Sequence, residues 1–553
     1  LFRLYQEGLF MPFSFSTAGR DACKNGLICK VMLVWLLGLL LQACSKAPEA
    51  PIATAPAHAS SVDWIKPIGD DMTPIFAKAK AENKPVFLYW GAVWCPPCNQ
   101  IKATVFNRQD FIDRSKLFVA VYIDGDTPGA QKLGTRFKVR GYPSMILFKP
   151  DGTELTRLPG EVDAAMYMQV LGLGLGAGSS VKDSLALALG PDSAALTPDA
   201  WRLLAYYAWE QDEAQLVPAK ERAALLHKLA LASPSSQPAL GARLALKSIV
   251  AAALEKTPLP NAPGALSRVQ QMMREPSLVK ENFDVLVNYA PLMLNALAPA
   301  GSSQRSALIS TLDEILTKFA VDNSLYQGDR LSALQTRLAL ARLDLPKGQE
   351  PTLSTPLVTQ IREAGALADQ NTSSTYERQA IIPLVADMWS DAGLLDESDA
   401  LLKAELTKAL SPYYHMLVLA GNAKKRGDKV SALSWSERSW KEAKGSATRL
   451  QWGGGHVNRL IELSPQDATR IDLAASAVLS ELEAIPETFY ERNRRGLEKM
   501  GQRLLAWNAN GQHAEVIKKL SKQLDAVCLQ LPEQDGTRGA CTAVFKPRQP
   551  KPT

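Results

Sequence analysis

Cysteine and histidine are scarce, with 7 and 5 in 553 residues. The histidines stand at 58, 227, 415, 456 and 513 with no ligand spacing between them. A zinc site takes about four protein ligands, so these residues and the few cysteines do not assemble one by motif. Dense Lys/Arg clusters interleaved with aromatic residues are missing. A net charge of +6 therefore points to no nucleic-acid partner. No Ser/His/Asp set or paired-carboxylate motif stands out either. The apolar run at residues 31–41 is far shorter than the roughly 20 residues a spanning helix needs. What is present is globular: 46% hydrophobic and 21% charged residues, in a chain long enough for roughly two to four units.

The start of the chain reads as an address. The sequence begins at Leu1, and Met11 or Met32 is expected to be the true start. Residues 31–41 (VMLVWLLGLLL) follow Lys24 and Lys30, as the apolar region of a secretory signal follows its basic one. The run ends Leu41-Gln42-Ala43-Cys44, which resembles the lipobox of bacterial lipoproteins. That resemblance implies removal of residues 1–43 and lipidation of Cys44, attaching the chain to a membrane without spanning it. Ser45 then leans towards the outer membrane. Cys23 and Cys29 would be lost with the signal. Residues 44–62, rich in Ala and Pro, read as a tether. The mature chain is expected on the periplasmic side of a bacterial envelope, where disulfides persist.

Trp94-Cys95-Pro96-Pro97-Cys98 carries the chemistry. Two cysteines separated by two residues can close a disulfide across the first turn of a helix. The first thiol attacks a partner disulfide and the second resolves the mixed disulfide from within the molecule. The same spacing would suit half a zinc site. Haem attachment would need His at position 99, where Asn stands. No cofactor and no metal is expected.

The surrounding pattern is a helix at 71–82, a strand at 86–90 and a helix from Cys95 to about 106. A strand at 118–124, a helix at 130–137, strands at 144–148 and 154–158 and a helix at 164–171 follow. The strand entering WCxxC, with Gly141-Tyr142-Pro143 before a later strand, resembles the thioredoxin superfamily. Lys84-Pro85-Val86, Val105-Phe106 and Gln109-Asp110-Phe111 are similar to the thioredoxin-like domains of periplasmic thiol:disulfide interchange proteins. The resemblance covers residues 63–171 and implies an α/β thioredoxin fold, a central mixed sheet flanked by helices. It implies Cys95 as nucleophile, Cys98 as resolving thiol and a cis Pro143. Trp94, Pro96, Pro97 and Tyr142 would line the substrate groove with Pro143. Two positions depart from the family: Tyr89 stands where it has a buried aspartate, and Ala120 where a lysine pairs with that aspartate. Pro96 and Pro97 also lack amide donors that could steady a thiolate on Cys95.

Residues 172–195, opening GLGLGAGSS, read as a flexible Gly-rich linker. Residues 196–528 are rich in Ala and Leu with helical periodicity broken by Pro and Gly. They are expected to form a large all-α, helical-repeat-like domain. Gly393 and Gly427 lie 34 residues apart, and residues 388–443 resemble tetratricopeptide repeats. Such a region would bind a protein partner or serve as a scaffold. Trp452-Gly453-Gly454-Gly455-His456 reads as an inter-helix loop. In the 529–553 tail, Cys541 is a candidate disulfide partner for Cys528. In the chain-entropy view that would be worth roughly 3 kcal/mol, with an internal substrate for Cys95–Cys98 as the alternative.

Together these features lead to a thiol:disulfide oxidoreductase acting on protein thiols and disulfides, as reductase or isomerase. A membrane dithiol protein would be its electron donor. A dithiol oxidant and a protein-binding envelope scaffold are the alternatives.

Overall fold

The computed structural model describes residues 61–547, apart from residues 140, 213–214, 347, 483–485 and 535. The signal segment, the tether up to residue 60 and the lipidation expected at Cys44 lie outside the described residues.

The α/β part begins with α1 (Thr73–Glu82) and β1 (Val86–Gly91). All six β1 residues are buried, because the strand is covered on both faces. Phe87 and Tyr89 join an aromatic cluster with Trp64, Phe106, Phe111 and Phe118; the Phe87–Phe118 ring centroids are 5.0 Å apart. β1 leads through residues 92–94 into α2 (Pro96–Ile101), which continues as a π-helical turn, Lys102–Phe106. The short α3 (Gln109–Arg114) follows, then β2 (Val119–Asp124), α4 (Ala130–Arg136), β3 (Ser144–Phe148), β4 (Glu154–Leu158) and α5 (Ala164–Leu175). The four-stranded sheet has the order β2-β1-β3-β4. β1 runs parallel to β2 and antiparallel to β3, and β3 is antiparallel to β4. This is the mixed sheet flanked by helices that the sequence implies.

The Gly-rich stretch is not a flexible linker. α5 runs through Gly172 and Gly174 to Leu175, and a further helix, Val181–Ala188, starts at a Ser180/Asp183 capping box. A Cβ at Gly174 would fall 2.7 Å from Leu147 Cδ1. The glycine there lets a helix lie close to the sheet, so what looks like freedom in the sequence is close packing. One hydrophobic cluster runs without a break from the sheet through Trp201, Tyr206, Trp209 and Leu226 to Ala252.

The rest is helical, as expected. Gly393 and Gly427 end helices with φ of 83° and 79°, a left-handed conformation that favours glycine. They join Thr375–Asp391 to Leu395–Glu405, and Pro412–Lys425 to Lys429–Glu442. The WGGGH segment is not a loop. It lies inside the helix Ser446–Leu463, with Trp452, Gly453, Gly454 and His456 buried. A Cβ at Gly453 would come within 2.7 Å of Val478 Cγ2 and 2.8 Å of Trp440 Nε1, so small residues admit neighbouring helices. Cys528 and Cys541 are disulfide-bonded with Cα atoms 5.6 Å apart, and both are buried in the core of the last helices. No helix among the described residues is long and apolar enough to cross a membrane.

A buried ionic network joins two of the first long helices to each other and, through Glu161, to the α/β part. Arg243 (in Pro238–Glu255) donates to both carboxylate oxygens of Asp284 at 2.9 and 2.7 Å and lies 4.0 Å over the Tyr206 ring. Burial pushes the Asp284 carboxyl up. The Arg243 charge and its two hydrogen bonds outweigh burial and hold the carboxyl below its ordinary value. Next to this pair, Glu161 of the β4–α5 loop accepts from Tyr289 Oη at 2.5 Å, and Lys247 Nζ lies 3.9 Å from it. Removing one member of such a pair strands a buried charge, at a cost of about 3–5 kcal/mol.

Two buried histidines generate a pH prediction. His415 has no partner at either ring nitrogen among the described residues, and burial, with Arg378 nearby, pushes it down to about 4. His456 rests on Trp440 with Nδ1 3.2 Å from Ser436 Oγ, and burial likewise pushes it down to about 4. Unfolded, both would titrate near about 6.5. The unfolded chain thus binds more protons, and stability falls as pH drops from about 6.5 towards 4. Urea unfolding at stepwise pH should show this loss, and His415→Leu should flatten it; an unchanged slope would refute the assignment.

Candidate active site

Cys95 is the N-cap of α2, with extended backbone (φ −71°, ψ 114°), and is disulfide-bonded to Cys98 at a Cα separation of 5.2 Å. Pro96 and Pro97 occupy the first helical positions, where missing amides break no helical hydrogen bond. Of the first-turn amides, Cys98 N–H is the one that reaches Cys95 Sγ, at 3.2 Å. Asn99 is fully buried and its Nδ2 donates to the carbonyls of Val93 and Cys95, at 2.8 and 2.9 Å. It fastens the chain on both sides of the first cysteine. In the sequence Asn99 registers only as the residue that is not a haem-attachment His.

The Tyr142–Pro143 peptide is cis. Register pairs Trp90 with Ser144, which sets Pro143 level with the end of β1, the point from which the chain leaves for Cys95. Tyr142 stacks on Trp90 at 6.0 Å and meets the edge of Trp94 at 6.2 Å. Its hydroxyl accepts from Gln131 Nε2 at 3.2 Å. Trp94 and Tyr142, two of the residues expected to line the groove, are thus in contact with each other.

Beneath the pair, Tyr89 takes up the departure from the thioredoxin pattern. Its hydroxyl reaches the Cys98 carbonyl at 3.4 Å, and burial pushes its phenol well above the ordinary value. Tyr89 stacks on Tyr122 at 5.1 Å. Lys102, one turn beyond Cys98, lies 5.9 Å over the Tyr89 ring, 5.2 Å over Tyr122 and 5.4 Å over Tyr376. Burial pushes the Lys102 ammonium down and the Asp124 carboxyl up, while each charge acts on the other in the opposite sense. A lysine following the helix and a carboxylate at the end of β2 are thus charged groups that act on Tyr89 or its ring. Among the described residues no three His, Cys, Asp or Glu side chains are arranged to hold a metal.

The other side of the disulfide is closed by residues from the far end of the chain. Trp94 stacks on Tyr414 (5.9 Å, 17° between planes) and takes the edge of Trp452 at 5.0 Å. The Arg492 guanidinium lies 4.9 Å over Trp94 and 4.6 Å over Tyr142. Gln379 Nε2 donates to the Trp94 carbonyl at 3.3 Å, and Arg492 N–H donates to Gln131 Oε1 at 3.2 Å. Asp126 of the β2–α4 loop accepts from Thr448 N–H and Thr448 Oγ1, both at 2.7 Å. It does so at the start of Ser446–Leu463, whose own N-cap, Gly445, offers no side chain. Burial pushes the Asp126 carboxyl up and the Thr448 hydrogen bonds pull it back down. Sequence reasoning missed Gln379, Tyr414 and Arg492, which no local pattern marks, and read Trp452 only as the start of a loop. They lie more than about 280 positions from Trp94, as the Gln379 contact shows.

Residues 74–174 match the model of a thioredoxin-like domain family. Over 95 residues the chain is 35% identical to the thiol:disulfide interchange protein DsbD of Pseudomonas fluorescens, covering 16% of this chain and 16% of that protein. Over 132 residues it is 31% identical to the thiol:disulfide interchange protein DsbD 2 of Pseudomonas aeruginosa, covering 23% and 22%. The chain therefore spans less than a quarter of the length of these curated relatives. Among solved structures, a DsbH oxidoreductase is 19% identical with a TM-score of 0.20, covering 24% of this chain and 95% of that one. The domain around Cys95 and Cys98 is thioredoxin-like and related to thiol:disulfide interchange proteins.

The Asp126 contact has a measurable consequence. Losing a side-chain N-cap typically costs about 1 kcal/mol. Asp126→Ala should lower unfolding stability by about that amount, measured by urea titration, whereas an unchanged midpoint would remove Asp126 as the cap of Ser446–Leu463.

Proposed function

We propose that the chain is a thiol:disulfide oxidoreductase of the bacterial cell envelope that exchanges disulfides with protein substrates, as reductase or isomerase. The observation that carries this reading is the Cys95–Cys98 pair at a helix start beside a cis Tyr142–Pro143 peptide, in a thioredoxin-like domain. In the reduced enzyme, the Cys95 thiolate attacks one sulfur of a substrate disulfide. That S–S bond breaks, a Cys95–substrate disulfide forms, and the departing substrate thiolate takes a proton. The Cys98 thiolate then attacks Cys95 Sγ and releases the second substrate thiol, leaving the Cys95–Cys98 disulfide. Two electrons have passed to the substrate. An external dithiol, by this reading a membrane dithiol protein, must return them.

Direction follows from how well the Cys95 thiolate is stabilised. A dithiol becomes a strong oxidant when its reduced form is strongly stabilised. With Pro96 and Pro97 at the first positions, the Cys98 amide reaches the sulfur but two further amides are lost. That favours the reducing side. The envelope location and the anchor at Cys44 rest on residues 31–44 of the sequence. The paired helices around Gly393 and Gly427 are proposed to be tetratricopeptide-like, in a region that binds protein partners. The division into a 63–171 redox domain, a helical domain from 196 to 528 and a 529–553 tail is proposed as functional. The core itself runs continuously from the first of these into the second.

Cys98→Ser should trap mixed disulfides through Cys95 in envelope extracts, and Cys95→Ser/Cys98→Ser should trap none. Absence of trapped clients would favour the scaffold alternative. A redox titration should give a potential near the thioredoxin end, about −270 mV; one near about −120 mV would make the protein an oxidant. Mass spectrometry of the mature protein should find diacylglyceryl-modified Cys44, and an unmodified N-terminus further along would reject the anchor.

A further inference from the structure

The sulfurs that the proposed chemistry needs are shielded: Cys95 is 3% exposed and Cys98 fully buried. A thiolate attacks a disulfide in line with the S–S bond, so a protein substrate must bring its own backbone up to Cys95. The helices Thr375–Asp391, Pro412–Lys425, Ser446–Leu463 and Glu491–Trp507 stand in that path through Gln379, Tyr414, Trp452 and Arg492.

How these helices attach distinguishes a cover from permanent core. The helices up to Pro238–Glu255 share one hydrophobic cluster with the sheet, and Lys247 and Tyr289 fasten the helical region to Glu161 of the β4–α5 loop. The last helices instead build a separate cluster around Leu460, Val478, Leu497 and Leu524. Trp94 is the α/β side chain that packs on that cluster, and it is only partly buried. The indole N–H groups of Trp94 and Trp452 find no acceptor among the described residues, although both atoms are buried. An unpaired buried donor weakens the closed state relative to an open one in which water reaches it. The other links across this face are the Asp126 cap, the Thr135 Oγ1 donation to Glu491 at 3.1 Å, the Arg492 N–H donation to Gln131 Oε1 at 3.2 Å, and the helix Thr375–Asp391, which packs on α2 and sets Tyr376 under Lys102.

We propose that this end of the helical region is a cover that determines which disulfides reach Cys95. It is held shut by Trp452 and Arg492 on Trp94 and by Asp126 on Thr448. A protein disulfide then reacts once its carrier displaces the cover, while a small reagent enters on a slight opening. The proposal rests on the reading of Cys95 as the nucleophile. It adds that access to Cys95, as well as its chemistry, sets specificity.

The test uses the full chain with Cys23, Cys29, Cys44 and Cys98 replaced by Ser, so that Cys95 is the free thiol while Cys528–Cys541 stays closed. N-ethylmaleimide and a polyethylene-glycol maleimide share a reactive group and differ in bulk. With the cover shut, the bulky reagent should react at least about tenfold more slowly relative to the small one than it does with the urea-unfolded chain. Arg492→Ala with Trp452→Ala should remove most of that difference. Asp126→Asn, which leaves the aromatic contacts in place, should remove part of it. It decides alone if the double variant loses its near-ultraviolet circular dichroism. Equal size dependence in folded and unfolded chains, or folded variants that leave it unchanged, would overturn the cover. Alkylation needs no disulfide exchange, so failure of the proposed enzyme activity would show separately, as an absence of trapped clients even in the cover variants.

Discussion

Trp94 presents a large indole beside a disulfide, and the burial of that ring organises the site. Tyr142 from the β3 approach, Tyr414 and Trp452 from distant helices and the Arg492 guanidinium all meet it. Aromatic pairs in such geometries are each worth about 0.5–1.5 kcal/mol beyond their burial, and a partly desolvated cation over a ring contributes comparably. These contacts tie the surroundings of Cys95 to helices more than about 280 residues downstream, through Trp94 and Gln379.

The two ends of the helical region contribute unequally. Its first helices extend the core of the α/β part, with Tyr289 and Lys247 on Glu161 at the seam, and separating them would expose apolar surface and strand charge. Its last helices have their own core, stapled by Cys528–Cys541, and meet the α/β part through Trp94, the Asp126–Thr448 contact and the Thr135–Glu491 contact. A chain that is fixed at one end and closes on itself at the other can place a protein-sized surface over the Cys95–Cys98 disulfide.

Much of the α/β part was legible in the sequence because its signals are local. The continuous apolar run at 86–90 marks a strand covered on both faces, and Pro96 marks a helix start. Glycines misled wherever packing, not flexibility, was the reason for them. Gly174 lies against Leu147, and Gly453 lies against Val478 and Trp440, so the start of the stretch that read as a linker and the whole of the one that read as a loop are helix. Tyr89 was visible as a departure from the thioredoxin pattern. Its consequence, a tyrosine pair with Lys102 over both rings, needed β1 and β2 side by side and α2 packed across them.

The sequence by itself determined the pattern on which the proposed chemistry rests: two cysteines with prolines between them, at a helix start after a buried strand, with a Gly-Tyr-Pro ahead of the next strand. Spacing and periodicity are properties of neighbouring residues, and a Cys-x-x-Cys pair is built from neighbours. Only the tertiary structure decided how accessible that pair is. Gln379, Tyr414, Thr448, Trp452 and Arg492 are brought to it by the path of the helices, and a contact between residues hundreds of positions apart leaves no periodicity to read.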